Sequence, residues 1–168
     1  MRAAVVTVSD RSFRGERPDV SGPVLKRLLE AAGAQTHESV LIPDDVRTIV
    51  STLIRLADLE RCDLIVTTGG TGLSPRDVTP EATQHVIQRR LPGMEEAIQQ
   101  DSRARTPFAM LSRAVVGVRG RTLIINLPGS PKAVTECFAV VAPVLEHAVT
   151  LLRDEDPYAA HARAEAGR

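Results

Sequence analysis

Residues 3–9 (AAVVTVS) are apolar and rich in β-branched side chains, and the polar stretch 10–17 ends the run. That pattern predicts a buried strand. Ser21-Gly22-Pro23 then opens a segment with Leu25, Leu28, Leu29 and Ala32 at helical spacing, and Gly33 follows at once, so both ends of a helix are marked. Residues 36–42 predict a second strand. Pro43-Asp44-Asp45 leads from it into Val46, Ile49, Val50, Leu53, Ile54 and Ala57, which trace one face of a helix.

Residues 63–68 (DLIVTT) show no polar alternation through their middle, as expected of a strand covered by apolar groups on both faces. After GGTGLSPRDV, Thr79 is read as a helix cap, Pro80 as the first helical residue and Glu81 as the acidic complement to the helix dipole. Pro92-Gly93 interrupts that helix before a further helical stretch at 94–100. Two strands, 115–118 and Thr122–Leu127, are joined at Arg119-Gly120-Arg121 and predict a hairpin. A long final helix puts Val134, Cys137, Phe138, Val141, Leu145, Ala148, Val149 and Leu152 on one face, with Pro143 expected to bend it. Alternating strands and helices predict the α/β class, a three-layer α/β/α sandwich with a mainly parallel sheet. One domain is expected over residues 1–154, followed by a polar, flexible tail at 155–168.

Composition narrows the function. The 168 residues carry 21 Lys+Arg and 21 Asp+Glu, a net charge of zero, and aromatics make up 2%. Neither general attraction for polyanions nor serial stacking of bases is supported, so no nucleic-acid partner is expected. With no uninterrupted apolar run of about 18 residues and no signal-like N-terminus, neither a membrane partner nor export is expected, and a cytoplasmic location is the reading. Cys62 and Cys137 form no CxxC pair, and His37, His85, His147 and His161 show no ligand spacing. Buried reduced thiols and ordinary histidines follow, not a zinc site. No Walker A loop, GxGxxG fingerprint or GxSxG elbow is present.

In an open α/β sheet the ligand crevice lies beyond the carboxyl ends of the strands. Asp10, Asp44, residues 69–77 and residues 126–132 (NLPGSPK) all follow predicted strands, and they meet at one edge if those strands are parallel. The Thr68-Gly69-Gly70-Thr71-Gly72 turn lets backbone N–H groups approach an anion without Cβ obstruction. The NLPGSPK turn, with Ser130 and Lys132, offers a second anion cradle, so an extended, multiply phosphorylated ligand is expected. Asp77 has no evident structural duty if Thr79 caps the following helix. Either Asp44 or Asp45 suits the cap of its own helix, and from spacing alone capping is the better reading of Asp44; Asp10 reads as a turn residue.

The motifs VSDRSFRG, SGP, IPDD, TTGGTGLSPRDVTPEAT, PGMEEAI, LSRAVVGVRGRTLIINLPGSPKAV and LLRD stand in this order. In that combination the chain resembles the molybdopterin adenylyltransferases, the family of MogA and MoaB proteins and of the G domain of gephyrin, over nearly its whole length. The resemblance implies attack of the molybdopterin terminal phosphate on the α-phosphate of ATP, with Mg²⁺ assistance, giving adenylylated molybdopterin and pyrophosphate. By motif, Asp44 and Asp77 match the family's two important aspartates, with a role in orienting Mg²⁺. Gly69, Gly70, Thr71 and Gly72 would hold phosphate, Ser9 and Asp10 would border the nucleotide, and Ser112 with Asn126, Leu127, Pro128, Gly129 and Ser130 would line the substrate cleft. A homotrimer and hand-over to a separate molybdenum-insertion protein are also implied. The alternatives are a non-catalytic pterin-binding scaffold, an enzyme of the competence-damage-inducible type, and the metal-insertion activity of a similarly folded domain. With so few rings, adenine and pterin are expected against aliphatic walls and backbone groups.

Overall fold

A computed structural model describes residues 1–153; the expected tail at 155–168 lies outside the described residues. In chain order the elements are β1 (Arg2–Val8), α1 (Asp10–Phe13), α2 (Ser21–Ala31), β2 (Gln35–Ile42), α3 (Val46–Ile54), β3 (Leu64–Thr68), α4 (Thr79–Val86), β4 (Arg89–Arg90), α5 (Pro92–Arg105), β5 (Val116–Arg119), β6 (Thr122–Leu127) and α6 (Pro131–Leu152). A π-helical turn, Arg55–Leu59, continues α3, and a 3₁₀ segment, Pro107–Leu111, follows α5.

The six strands form one sheet in the order β2-β1-β3-β6-β5-β4. β2, β1, β3 and β6 run parallel, whereas β5 pairs antiparallel with both β6 and β4. Alternate side chains of the central strands enter two separate cores. Val5, Val66 and Ile125 face α2, α5 and α6, packing with Leu25, Leu29, Ile98, Val134 and Phe138. Val6, Ile65 and Ile124 face α3 and α4, packing with Ile49, Leu53, Ala82 and Val86. Two apolar faces account for strands without polar alternation and establish the expected α/β/α sandwich. β2 lies at the sheet edge and alternates exposed with half-buried residues over most of its length, which is why its sequence signal is weaker.

Local expectations need four corrections. Thr79 is not a cap: it sits inside α4, Val78 takes the capping position without a side-chain bond, and the Thr79 hydroxyl donates to the Gly69 carbonyl at 2.9 Å. Ala57 belongs to the π turn and not to α3. The helix expected at 94–100 begins at Pro92 and runs to Arg105. α6 spans 22 residues and by length and composition is apolar enough to cross a bilayer, although no uninterrupted apolar run was visible; Val134, Cys137, Phe138, Val141, Leu145 and Val149 are nevertheless buried in the domain core. Both cysteines are buried and unpaired, as expected.

Asn126 also departs from expectation, because it is fully buried in β6 and does not reach the cleft. Its side-chain oxygen accepts the Val115 N–H at 3.3 Å, and its amide donates to Thr67 Oγ1 at 3.0 Å and Thr83 Oγ1 at 2.9 Å. It cross-links β3, β6 and α4 through a satisfied polar network. Asn126→Ala is therefore expected to lower the urea unfolding free energy by about 3 kcal/mol, since a cavity is opened and buried groups lose partners; a loss within experimental error would show that the network is not structural.

Candidate active site

The parallel strands end at one level, because Thr7 lies opposite both Leu41 and Thr68, and Thr68 lies opposite Leu127. The loops that leave these ends enclose a cleft of about 1000 Å³. Of the expected site residues, Ser9, Asp10, Asp44, Gly69, Gly70, Thr71, Gly72, Asp77, Ser112, Pro128, Gly129 and Ser130 all line it, whereas Asn126 and Leu127, buried in β6, do not. Lys132 stays outside, with its ammonium 4.0 Å from Glu136.

Asp10 and Asp44 are tied to each other by exchanged hydrogen bonds. The Asp10 N–H donates to Asp44 Oδ2 at 2.7 Å, and the Asp44 N–H donates to Asp10 Oδ1 at 3.0 Å. Arg76 donates from Nε to Asp10 Oδ2 at 2.8 Å. Asp10 is therefore more than a turn residue: it bridges the ends of β1 and β2. Asp45 takes the capping role of α3, accepting the Thr48 N–H at 2.8 Å, so Asp44 is released from the duty that spacing alone favoured for it. Ser9 and Ser130 cap α1 and α6 while also facing the cleft.

These contacts set opposite electrostatics on the two bridged carboxylates. Burial pushes the Asp44 carboxyl above its ordinary range, the Asp10 N–H works against that rise, and the negative charges of Asp10 and Asp77 add to it. For Asp10 burial also works upward, but the Arg76 hydrogen bond and the Asp44 N–H outweigh it and hold the carboxyl below the usual range. Asp77 does have a structural duty, contrary to expectation: its Oδ2 accepts the Ser74 N–H at 2.9 Å. Each of Asp44 and Asp77 still has one carboxylate oxygen, Oδ1, without a hydrogen-bond donor among the described residues.

The turn between β3 and Asp77 requires glycine for steric reasons. Gly69 has φ +101°, and a Cβ there would lie 2.2 Å from the Val8 carbonyl oxygen; Gly70 has φ +64°, with a Cβ 2.3 Å from Thr79 Oγ1 and 3.0 Å from Asp44 Oδ1. The Gly69 N–H is spent on the Leu127 carbonyl at 3.1 Å, so Gly69 shapes the turn and does not donate to an anion. The N–H groups of Gly70, Thr71, Gly72, Gly129 and Ser130 have no acceptor among the described residues. They are the backbone donors open to phosphate.

Sequence reasoning missed the arginines of this site. Arg11, Arg14, Arg17 and Arg76 line the cleft together with Asp10, Asp19, Asp44 and Asp77. Arg17 reaches the Ser9 and Ser12 hydroxyls at 3.4 Å each. Three of them stand in SDRSFRGERPD and the fourth in SPRDV, segments whose motifs point to Ser9, Asp10 and Asp77 but assign the arginines no role. Phe108 also lines the cleft and is largely exposed, so one ring does stand where aliphatic walls and backbone groups were expected to predominate. Together with Ser112 and Pro128 it also borders an adjoining cavity of about 220 Å³. Among the described residues no group of three or more His, Cys, Asp or Glu is placed to hold a metal ion.

Residues 4–147 match the family model described as "Probable molybdopterin binding domain". The molybdopterin adenylyltransferase of Helicobacter pylori is 41% identical over 150 residues, covering 88% of this chain and 85% of that protein. The crystal structure of the molybdopterin biosynthesis enzyme MoaB from Thermus thermophilus superposes with a TM-score of 0.87 at 46% identity, covering 92% of this chain and 97% of that one. The molybdenum cofactor synthesis protein cinnamon of Drosophila melanogaster is 42% identical over 152 residues, 90% of this chain but only 25% of that longer protein.

The elevated Asp44 pKa fixes the sign of a pH effect. A carboxyl that holds its proton more tightly in the folded state adds stability at low pH, and that contribution is lost as pH rises through the folded-state value. Asp44→Asn should therefore raise the thermal midpoint at pH 7, and its advantage over wild type should shrink as pH is lowered below the Asp44 pKa. Calorimetry across pH checks this, and a destabilised Asn variant at pH 7 would contradict it.

Proposed function

The chain belongs to the molybdopterin-binding domain family, and from that premise we propose that its cleft binds ATP and molybdopterin together and joins them. The protein is a molybdopterin adenylyltransferase of molybdenum cofactor biosynthesis, as its relatives' names state for them. The observation that carries this reading is the freeing of Asp44. With Asp45 capping α3, Asp44 is held half-buried against Asp10 and beside the glycine turn, close enough to Asp77 to feel its charge.

Nucleotidyl transfer asks little covalent chemistry of a protein; it needs two phosphates held in line and the developing charge neutralised. The open N–H groups of Gly70, Thr71 and Gly72 would grip one phosphate group, and those of Gly129 and Ser130, on the adjoining loop after β6, a second. Arg17, set across the Ser9 and Ser12 hydroxyls, supplies positive charge at the β1 end. The oxygens Asp44 Oδ1 and Asp77 Oδ1 are the hard, anionic donors that suit Mg²⁺, and a set of two carboxylates leaves room for substrate phosphate oxygens and water in the remaining positions. When bound there, the ion would neutralise phosphate charge and polarise the α-phosphate. Asp10 keeps Asp44 aimed, and Arg76 keeps Asp10 ionised.

The proposal extends to assembly and setting: a homotrimer in the cytoplasm that passes adenylylated molybdopterin to a molybdenum-insertion protein. Its support is the likeness of motif order to the family; light scattering tests the trimer.

The purified protein, given molybdopterin and MgATP, is expected to release pyrophosphate in step with an adenylylated pterin. Asp77→Asn should lower kcat by about a hundredfold or more while leaving pterin affinity within about threefold, as expected for a group acting mainly on the transition state. Tight pterin binding with no AMP transfer would overturn the catalytic reading in favour of a scaffold.

A further inference from the structure

Arg113 was passed over in the sequence in favour of its neighbour Ser112, yet it holds the most connected position beside the cleft. It stands between the 3₁₀ segment that carries Phe108 and Leu111 and the start of β5, in direct contact with the glycine loop. Its backbone N–H donates to the Thr71 carbonyl at 2.9 Å. Its guanidinium donates from Nε to the Gly72 carbonyl at 2.9 Å, from Nη2 to the Asp77 carbonyl at 2.7 Å, and from Nη1 to the Glu81 carboxylate at the first turn of α4. One planar cation thus holds both ends of the loop that presents Asp77 and ties them to the helix that follows. Burial works to raise the Glu81 carboxyl, and the Arg113 hydrogen bond, the Glu81 backbone N–H and the Arg113 charge together hold it below its ordinary range. The second Glu81 oxygen, Oε2, is buried without a partner among the described residues, so that carboxylate depends on Arg113.

We propose that Arg113 is the positioning residue of the Asp77 loop and that it couples the Ser112 wall of the cleft to the glycine-turn wall. The role rests on the adenylyl-transfer reading, because it matters for turnover only if Asp77 does. Nothing else on the loop reproduces the fork. The internal bonds of the loop are the Ser74 N–H to Asp77 Oδ2, the Arg76 N–H to Ser74 Oγ, the Asp77 N–H to the Ser74 carbonyl and the Thr79 N–H to the Gly70 carbonyl, and Arg76 ties the loop outward to Asp10 after β1. They close the turn on itself and hold it to the β1 end, but none of them fixes it against the Ser112 segment. Lysine cannot replace the arginine, since a single ammonium does not span two carbonyls and a carboxylate with fixed planar geometry.

The test compares Arg113→Met and Arg113→Lys, each alone and combined with Asp77→Asn, by steady-state kinetics and by amide hydrogen exchange. Arg113→Met should lower kcat up to about a hundredfold, because a displacement near 1 Å is enough for that loss, with the KM of each substrate changed far less. Arg113→Lys, which keeps the charge beside Glu81, should fold even if the Met variant does not and should lose at least about tenfold in kcat, since one ammonium cannot replace the fork. In the Asp77→Asn background the further loss should be less than about threefold, because a residue acting through Asp77 has nothing left to position. The amides of Ser74, Asp77 and Thr79 should exchange roughly tenfold faster in the variants while amides of the central strands hold their rates. Unchanged exchange at those three amides, or losses that multiply fully in the Asp77→Asn background, would overturn the proposal. If the wild-type protein transfers no AMP, the adenylyl-transfer reading falls by itself, and the exchange measurement still decides whether Arg113 holds the loop.

Discussion

The cleft depends on four parallel strands stopping on one line. The row Leu41–Thr7–Thr68–Leu127 fixes where β2, β1, β3 and β6 let go of the chain, so loops separated by more than eighty residues in sequence begin within a few strand spacings of one another. The same parallel arrangement demands a helix on either face, which is why both cores are needed to keep the row straight. Asp10 and Asp44 then staple the neighbouring loops after β1 and β2 by exchanging backbone donors. A residue slip in the pairing of β1 with β2 would turn side chains to the wrong face and part these two loops.

Within that frame, like charges are placed at close quarters. Asp44 is pushed toward its protonated form by burial and by Asp10 and Asp77, and the charge that costs stability here is not needed for the hydrogen bond it accepts from Asp10. Sites that break local rules in this way are where function is found. The relief comes from outside the carboxylate cluster: Arg76 holds Asp10, Arg17 stands at the serine hydroxyls, and the glycine and NLPGS turns offer uncommitted N–H groups. A chain with no net charge can therefore handle polyphosphate, because the favourable charge is local and backbone-borne.

Much of the fold was legible because its signals are local. Residues 63–68 and Thr122–Leu127 show uninterrupted apolar character, and helices α2 and α6 carry regular apolar faces with marked ends. β4, only two residues long, and the 3₁₀ segment at Pro107–Leu111 carry no periodic signal, so neither was foreseen. The site was legible as a set of loops and as a family likeness, less so as individual side chains. Thr79 looked like a cap and is instead a hydroxyl strut under Gly69; Asn126 looked like a cleft residue and is a buried cross-link. Both errors share a physical cause: a polar side chain near a turn serves its neighbours or the ligand depending on a direction that only the packed chain sets. Arg17, Arg76 and Arg113 were hidden for the converse reason, since an arginine in a polar loop reads as solvated until its partner from a distant segment is in place.

The central claim is that phosphate is gathered at the glycine turn between Asp44 and Asp77. A crystal structure with Mn²⁺ in place of Mg²⁺ and a non-hydrolysable ATP analogue tests it most directly, because the anomalous signal of the ion marks its position without ambiguity. The account predicts the ion within coordination distance of Asp44 or Asp77 and of the analogue's phosphates, with those phosphates on the N–H groups of residues 70–72. An analogue bound away from that turn, or an ion touching neither aspartate, would contradict it.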